Sequence, residues 1–292
     1  MKKGTVKGKF LIVMMLAMVL VAGVLGGCSS SNKEDKSADK KSAIETIKKN
    51  GKIKIGVFSD KAPFGYIDEN GKYAGYDVYL GKRIAKDLLG DENAVEFVTV
   101  EAASRVEFLE TNKVDIILAN FTVTDERKEK VDFALPYMKV ALGVVSPDGA
   151  PITDIGQLKG KKLIVNKGTT AETYFTEKYP DLELLKYDEN TEAFNALLDK
   201  RGAALAHDNT LLFAWATQNK GFTTAIASLG SLDTIAPAVH KGNTELLDWL
   251  NSEIKTLGNE KFFHADYEAT LRPVYGNTVD PESVVVEGGE VK

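Results

Sequence analysis

Cysteine and histidine are nearly missing from this chain. Its 292 residues include one cysteine, Cys28, and three histidines. A lone cysteine excludes an intramolecular disulfide and any zinc site built from several cysteines. His207, His240 and His264 are too scattered along the chain to predict a metal site. No phosphate-binding loop of the GxxxxGKS or GxxxxGKT type is present, so the sequence predicts neither a metal nor another cofactor.

Basic residues are outnumbered by acidic ones. The chain has 37 Lys and Arg against 42 Asp and Glu, which gives a formal net charge of −5. Four of the lysines stand at positions 2, 3, 7 and 9, and without them the charge is −9. Clustered Lys and Arg are what sequence-independent nucleic-acid binding requires, so nucleic acid is excluded as a partner. With 43% apolar and 27% charged residues, the composition is that of a globular protein of one or two domains.

Residues 1–27 predict a lipoprotein signal peptide. Lysines precede an uncharged, mostly apolar run over residues 10–27, which is the order found in secretory signals. The run leads into Leu-Gly-Gly-Cys at residues 25–28, which looks like a bacterial lipobox with Cys28 as the lipidated residue. The apolar run is also long enough to span a bilayer as a helix, and Cys28 could be an ordinary thiol. The polar stretch over residues 28–42 instead favours a flexible tether behind a membrane anchor, in the periplasm or on the outer face of the membrane.

Strands and helices alternate through the rest of the chain. Apolar and polar residues alternate over residues 52–57, and apolar residues at helical spacing follow over residues 78–88. Further strands are predicted at 97–100, 114–119, 162–165, 184–187 and 203–206, and further helices around 106–109 and at 170–179, 191–201, 209–219, 246–257 and 262–271. Such alternation favours parallel sheets, so we predict an α/β fold of two doubly wound lobes. Lobe 1 is expected over residues 43–140, lobe 2 over 141–234, and residues 235–292 are expected to return to lobe 1 and end in a tail.

Polar groups follow four of the predicted strands, at residues 61–64, 120–127, 167–170 and 207–209. In open parallel sheets, ligands bind outside the carboxyl ends of the strands and near helix N-termini. Arg127 can hold a carboxylate through two parallel hydrogen bonds, with Thr122 and the amides at 169–170 as further donors. Asp208 can accept hydrogen bonds from an ammonium, and the ring of Phe64 can cover an apolar part. Together these groups predict a site for a free α-amino acid.

Each of these residues also has a purely structural explanation. Asp208 can cap the helix predicted to follow it, and Thr169 with Glu172 has the T-x-x-E spacing of a capping box. Arg127 lies in a charged run, which is more often a solvated helix face. Phe64 is by default a core ring. The joint occurrence of the set at strand ends favours the binding site over the separate explanations.

Several motifs resemble the polar amino-acid-binding proteins of bacterial ABC importers, solute-binding protein family 3. They are KIGV at residues 54–57, APF at 62–64, GYDV at 75–78, VD at 114–115, NFTVTDER at 120–127, VDFALPY at 131–137, KGTTAE at 167–172 and HDN at 207–209. The resemblance covers residues 51 to about 275. It implies a periplasmic-binding-protein type II fold, with a ligand cleft between two lobes joined by hinge strands. It also implies a monomeric transport protein rather than an enzyme, with an ABC permease and its ATPase as partners.

The resemblance also implies roles for individual residues. Arg127 would bind the α-carboxylate with Thr122 and the turn of Gly168, Thr169 and Thr170, while Asp208 would bind the α-ammonium, Asn120 would offer its backbone carbonyl and Phe64 would line the apolar wall. Within the family the chain looks closest to cysteine-binding lipoproteins, through RVEFL at 105–109, YMKVALGV at 137–144, AHDNTLLFAW at 206–215 and VVVEGG at 284–289. L-Cysteine is therefore the expected ligand.

Arg105 keeps a second class of ligand open. In relatives that bind aspartate or glutamate, an arginine placed in this way meets the side-chain carboxylate of the ligand. Two other functions are compatible with the same cleft but less favoured. One is a lyase related to cyclohexadienyl dehydratase, and the other is a sensor or adhesin without a transport partner.

Overall fold

The computed structural model describes residues 42–291. The predicted signal peptide, Cys28 and the tether up to residue 41 lie outside the described residues. Ser42 caps the first helix, because its Oγ accepts a hydrogen bond from the N–H of Glu45 at 3.0 Å. Between residues 42 and 291, no helix combines the length and the apolar character needed to cross a membrane.

The described residues alternate between strands and helices. The helices are α1 (Ala43–Asn50), α2 (Tyr76–Leu89), α3 (Arg105–Glu110), α4 (Asp125–Lys128), α5 (Thr170–Lys178), α6 (Asn190–Leu198), α7 (Asn209–Gln218), α8 (Thr244–Asn259), α9 (Phe262–Asp266) and α10 (Arg272–Tyr275). The strands are β1 (Ile53–Val57), β2 (Asp60–Lys61), β3 (Gly65–Ile67), β4 (Tyr73–Ala74), β5 (Val95–Thr99), β6 (Ile116–Ile117), β7 (Val131–Phe133), β8 (Met138–Pro147), β9 (Lys162–Asn166), β10 (Glu183–Tyr187), β11 (Ala204–Asp208), β12 (Phe222–Ile235) and β13 (Ala238–His240).

The first sheet has the strand order β5-β1-β6-β13-β7. Strands β5, β1 and β6 are parallel, and β13 pairs antiparallel with β6 and β7. Helix α2 buries one apolar face against this sheet and ends at Gly90, whose N–H donates to the carbonyl of Lys86. The strand expected over residues 114–119 is confined to Ile116–Ile117. Because the parallel strands run in one direction, the segments after β1, β5 and β6 all emerge at the same edge.

The second sheet has the strand order β10-β9-β11-β8-β12. Strands β10, β9 and β11 are parallel to one another, while β8 runs antiparallel to β11 and β12. Residues 163–166 of β9 and all of β11 are buried, as expected for strands covered on both faces. The carboxyl ends of β9 and β11 supply the turn at 167–170 and the residues 207–209.

Two long strands run side by side between the sheets. Strands β8 and β12 pair from Met138↔Ile235 to Phe222↔Pro147, with several register shifts on the way. Ile235 also forms a bridge with Thr122, next to the first sheet. The C-terminal tail joins them, since the N–H of Val286 donates to the carbonyl of Tyr137 at 3.1 Å. These paired strands match the hinge of a type II periplasmic-binding-protein fold, which the chain adopts.

Candidate ligand-binding site

A small cavity lies between the strand ends of the two sheets. From the first sheet it is lined by Phe58, Lys61, Ala102, Arg105, Asn120, Thr122 and Arg127, and from the second by Thr169, Thr170, His207 and Asp208. The space that its lining encloses is about 10 Å³, roughly what a single water molecule needs, so the cleft is nearly closed in this structure. Most residues predicted for the site meet here, while Phe64 and Gly168 lie just behind the lining.

Asp208 is paired with a lysine from the opposite sheet. The Nζ of Lys61 lies 2.8 Å from Oδ2 of Asp208, and both side chains are almost fully buried. Burial by itself raises the pKa of Asp208, but Lys61 and the neighbouring His207 together outweigh it and hold that pKa well below its usual range. Oδ1 of Asp208 has no hydrogen-bond partner among residues 42–291 and is available to a ligand.

The helix-capping explanation of Asp208 is wrong. The residue stands at the N-cap position of α7, but its side chain accepts no hydrogen bond from the first turn. The Nδ1 atom of its neighbour His207 instead accepts the N–H of Asp208 at 2.7 Å. Burial, together with the charge of Lys61, lowers the pKa of His207, so the imidazole is neutral with its proton on Nε2.

Arg127 turns inward from its charged run. One Nη1 proton goes to the carbonyl of Thr122 at 2.7 Å, and one Nη2 proton goes to the carbonyl of Gly168 at 2.8 Å. A guanidinium has five N–H donors, so three remain for a ligand. Burial lowers the pKa of Arg127 to about 10, which leaves it charged at neutral pH. The side chain is half-buried and is not part of a solvated helix face.

Arg105 uses its guanidinium differently. Its N–H groups donate to the backbone carbonyls of Ala102, Ala119, Asn120 and Gly168 at 2.9–3.2 Å. Four of five donors are thereby occupied by the protein. The guanidinium also lies 4.4 Å from the centre of the Phe121 ring, which Arg127 approaches to 4.8 Å. Arg105 thus holds the strand ends together and has one donor left.

The carbonyl oxygen of Gly168 accepts hydrogen bonds from both Arg105 and Arg127, which lie on the opposite side of the cleft. Its φ is +70°, and an added Cβ would lie 2.5 Å from the Cα of Ala103. Glycine is required here because the two sides of the cleft touch at this point.

The turn that follows Gly168 presents the N-terminus of α5 to the cavity. Thr169 caps the helix by accepting the N–H of Glu172 at 3.2 Å. The carboxylate of Glu172 accepts a hydrogen bond from the N–H of Gly168 and not from that of Thr169. The predicted capping box is therefore only half formed. The N–H of Thr170 has no partner among the described residues and can serve an anion.

Asn120 links the cavity to a buried acid. It adopts a left-handed conformation with φ of +41°, and its N–H donates to Asp77 at 3.0 Å. Its own Oδ1 is buried and has no hydrogen-bond partner among residues 42–291. Asp77 also accepts the hydroxyl of Tyr137 at 2.6 Å, and burial raises its pKa to about 7. The acid therefore titrates close to neutral pH behind the site.

Phe64 lies in the hydrophobic core, and Phe58 takes its expected place beside the cavity. The Nζ of Lys61 lies 5.1 Å from the centre of the Phe58 ring and 5.9 Å from that of Phe64. The aromatic rings thus flank the lysine and shield it from water.

Nothing local in the sequence singles out Lys61, Phe58 or His207 as site residues. Lys61 lies in the segment after β1, but a single lysine there gives no sign of its partner 147 residues away. Phe58 and His207 each adjoin a strand end, and their position at the sheet edge is the only local signal. Within residues 42–291 there is no group of three or more His, Cys, Asp or Glu residues that could hold a metal ion.

Comparison with known proteins agrees with this architecture. Residues 53–268 match the model of the bacterial extracellular solute-binding proteins, family 3. The chain is 32% identical to the glutamine-binding protein GlnH of Bacillus subtilis, over 89% of this chain and 95% of that relative. Similar crystal structures include the cysteine-binding protein of Campylobacter jejuni, at 57% identity, and a solute receptor for L-cysteine of Neisseria gonorrhoeae, at 58%. Each comparison covers 84% of this chain and 99% of the other, with a TM-score of 0.83.

The chain therefore belongs to family 3 of the bacterial extracellular solute-binding proteins. It is an extracytoplasmic binding protein and not an enzyme.

Proposed function

We propose that this protein captures L-cysteine for an amino-acid ABC importer and delivers it to the permease and its ATPase. The observation on which this depends is the cavity between the sheets, with free guanidinium donors at one place and a free carboxylate oxygen at another. An α-amino acid carries the complementary pair of charges. The likeness to two receptors named for cysteine supports the choice of side chain.

The proposed contacts follow from the donors and acceptors that the protein leaves free. Arg127 binds the α-carboxylate through its unused N–H groups, helped by Thr122 and the N–H of Thr170. Oδ1 of Asp208 accepts the α-ammonium while Lys61 holds Oδ2. Asn120 offers an oxygen, Gly168 and Thr169 shape the turn, and Phe64 supports the wall behind Lys61.

The narrowness of the cavity favours cysteine over its oxidised dimer cystine. With about 10 Å³ between the lining side chains, the cleft must open to admit a ligand, and a small amino acid needs less opening than a molecule of twice its size. The acidic alternative requires Arg105 to bind a side-chain carboxylate. With four donors committed to backbone carbonyls, Arg105 cannot form the two parallel hydrogen bonds that such a carboxylate prefers.

Membrane anchoring completes the proposal and depends on the sequence alone. Removal of residues 1–27 and lipidation of Cys28 would leave residues 28–42 as a tether. The body would then act as a monomer of two lobes, residues 43–140 with 235–292 and residues 141–234, that close on the ligand. Metabolic labelling with a radioactive fatty acid should mark the wild-type protein, and Cys28→Ala should abolish the label.

Calorimetric titration of residues 43–292, refolded to remove copurified ligand, tests the ligand assignment. The panel is L-cysteine under reductant, cystine, aspartate, glutamate, glutamine, histidine and serine. We expect tight binding of L-cysteine and much weaker binding of the others. Tighter binding of aspartate or glutamate would assign Arg105 to the ligand side chain. Absence of binding across the panel by a folded protein would refute the amino-acid assignment.

Closure of the cleft has a second set of contacts away from the ligand. Asp60 in β2 accepts the Nδ2 proton of Asn190 at 2.9 Å and the N–H of Thr191 at 3.1 Å, both at the start of α6. Asp60→Ala should weaken L-cysteine binding about tenfold, because hydrogen bonds to a charged group that exist only in the closed form are lost. Titration calorimetry measures the change. The matched control is Asp199→Ala, which removes an exposed carboxylate, and equal affinities of the two variants would contradict a role for Asp60.

A further inference from the structure

The cavity contains more positive than negative charge. Lys61, Arg105 and Arg127 face one carboxylate, that of Asp208, which leaves an excess of two positive charges. Neutral His207 adds none, and Asp77 behind Asn120 reduces the excess by one when it is ionised. Glu126 and Asp233 act on Arg127 from further out. A zwitterionic amino acid has no net charge and would leave this excess unchanged.

Uncompensated charge is costly in a closed cavity. Three of the four charged side chains are almost fully buried, with exposed fractions of 1% for Lys61, 3% for Arg105 and 4% for Asp208. Removing ions from water without a partner is strongly unfavourable, so the closed form gains most from a ligand that brings a negative charge. The Nε2 proton of His207 is a further donor without a partner among the described residues.

We propose that the cavity binds its amino acid with the side-chain sulfur ionised, so that L-cysteine is taken up as the thiolate. This inference depends on the proposed function and specifies the chemical form of the ligand. On binding, the S–H bond breaks, its electron pair stays on sulfur, and the proton passes to the solvent. Lys61 is the buried cation nearest to the ammonium site at Asp208, and it would distinguish cysteine from serine.

The physical basis is the response of a thiol to nearby cations. A free cysteine thiol has a pKa of about 8.5, and neighbouring Lys or Arg lower it to roughly 3.5–7.5. At neutral pH the free ligand is therefore mostly protonated, and the bound ligand is mostly ionised. Binding then releases about one proton per cysteine, and affinity rises about tenfold per pH unit between about pH 6 and pH 8.

Calorimetry in buffers of different ionisation enthalpy tests this on the reduced, ligand-free protein. We expect the heat of L-cysteine binding to depend on the buffer with a slope of about one proton, and the complex to show the ultraviolet absorbance of a thiolate. L-Serine is the control ligand because its hydroxyl does not ionise. Protons released by Asp77 or His207 would appear with both ligands, and the difference between the ligands isolates the thiol.

A variant assigns the effect to the lysine. Lys61→Met should flatten the pH dependence of cysteine binding, while Lys167→Met, at an exposed lysine paired with Asp188, should not. Cysteine binding with the same proton release as serine would overturn the inference and leave the proposed function standing. Absence of cysteine binding would overturn both.

Discussion

Alanine in place of Arg127 is expected to weaken L-cysteine binding by about 2–5 kcal/mol, because the α-carboxylate would be buried without its partner. The variant also loses the hydrogen bond from Arg127 to the carbonyl of Gly168. This is one of two guanidinium contacts that join the sides of the cleft at Gly168. Arg105 cannot take over, since its donors already serve four backbone carbonyls. Titration calorimetry of the ligand-free protein measures the loss.

Two further variants define what Arg127 supplies. Arg127→Lys keeps the charge but not the planar fork, so it should recover only part of the affinity. Arg201→Ala removes an exposed arginine that pairs with Asp199 and should bind as the wild type does. If Arg127→Ala bound within a factor of two of wild type, the carboxylate would have to lie elsewhere in the cavity.

The order of strands and helices could be predicted because it is encoded locally. Alternation over residues 52–57 and helical spacing over 78–88 describe segments that each bury one face. The same rule explains why β12 is not predicted. It is an edge strand whose residues are almost all exposed or half-buried, and it has register shifts. Its sequence therefore has no regular apolar alternation, and its conformation is fixed by pairing with β8.

The site residues could be predicted from the sequence where chemically suitable side chains stand at the ends of predicted strands. Thr122 and Arg127 follow a strand and Asp208 ends one, and topology brings the ends of such strands to one edge. The partner of each side chain was not predictable. The sequence around Arg105 does not show that its N–H groups donate to backbone carbonyls. Lys61 contacts Asp208 only because the fold brings the two sheets together. Charge balance in the cavity is therefore a property of the fold.

Asparagine in place of Asp208 should abolish measurable binding and leave the free energy of unfolding nearly unchanged. Binding fails because the ammonium loses its charged acceptor and the closed cavity keeps Lys61 without a counter-ion. Breaking a buried ion pair costs about 3–5 kcal/mol. Here that cost applies to closure, since the pair joins opposite sides of the cleft and an open cleft lets water reach Lys61. Calorimetry measures the binding, and urea unfolding of the ligand-free variant measures the stability.

The double variant Lys61→Met with Asp208→Asn separates the loss of the ammonium acceptor from the loss of the counter-ion of Lys61. Without the lysine, the excess of positive charge in the cavity returns to that of the wild type, so the double variant should close more readily than Asp208→Asn but still bind no amino acid tightly. Asp199→Asn serves as the exposed control. A loss of unfolding free energy in Asp208→Asn as large as the loss in binding would show that the pair stabilises the ligand-free fold. Near-normal binding would place the ammonium away from Asp208, and the unpartnered Oδ1 of Asn120 would then be the next acceptor to test.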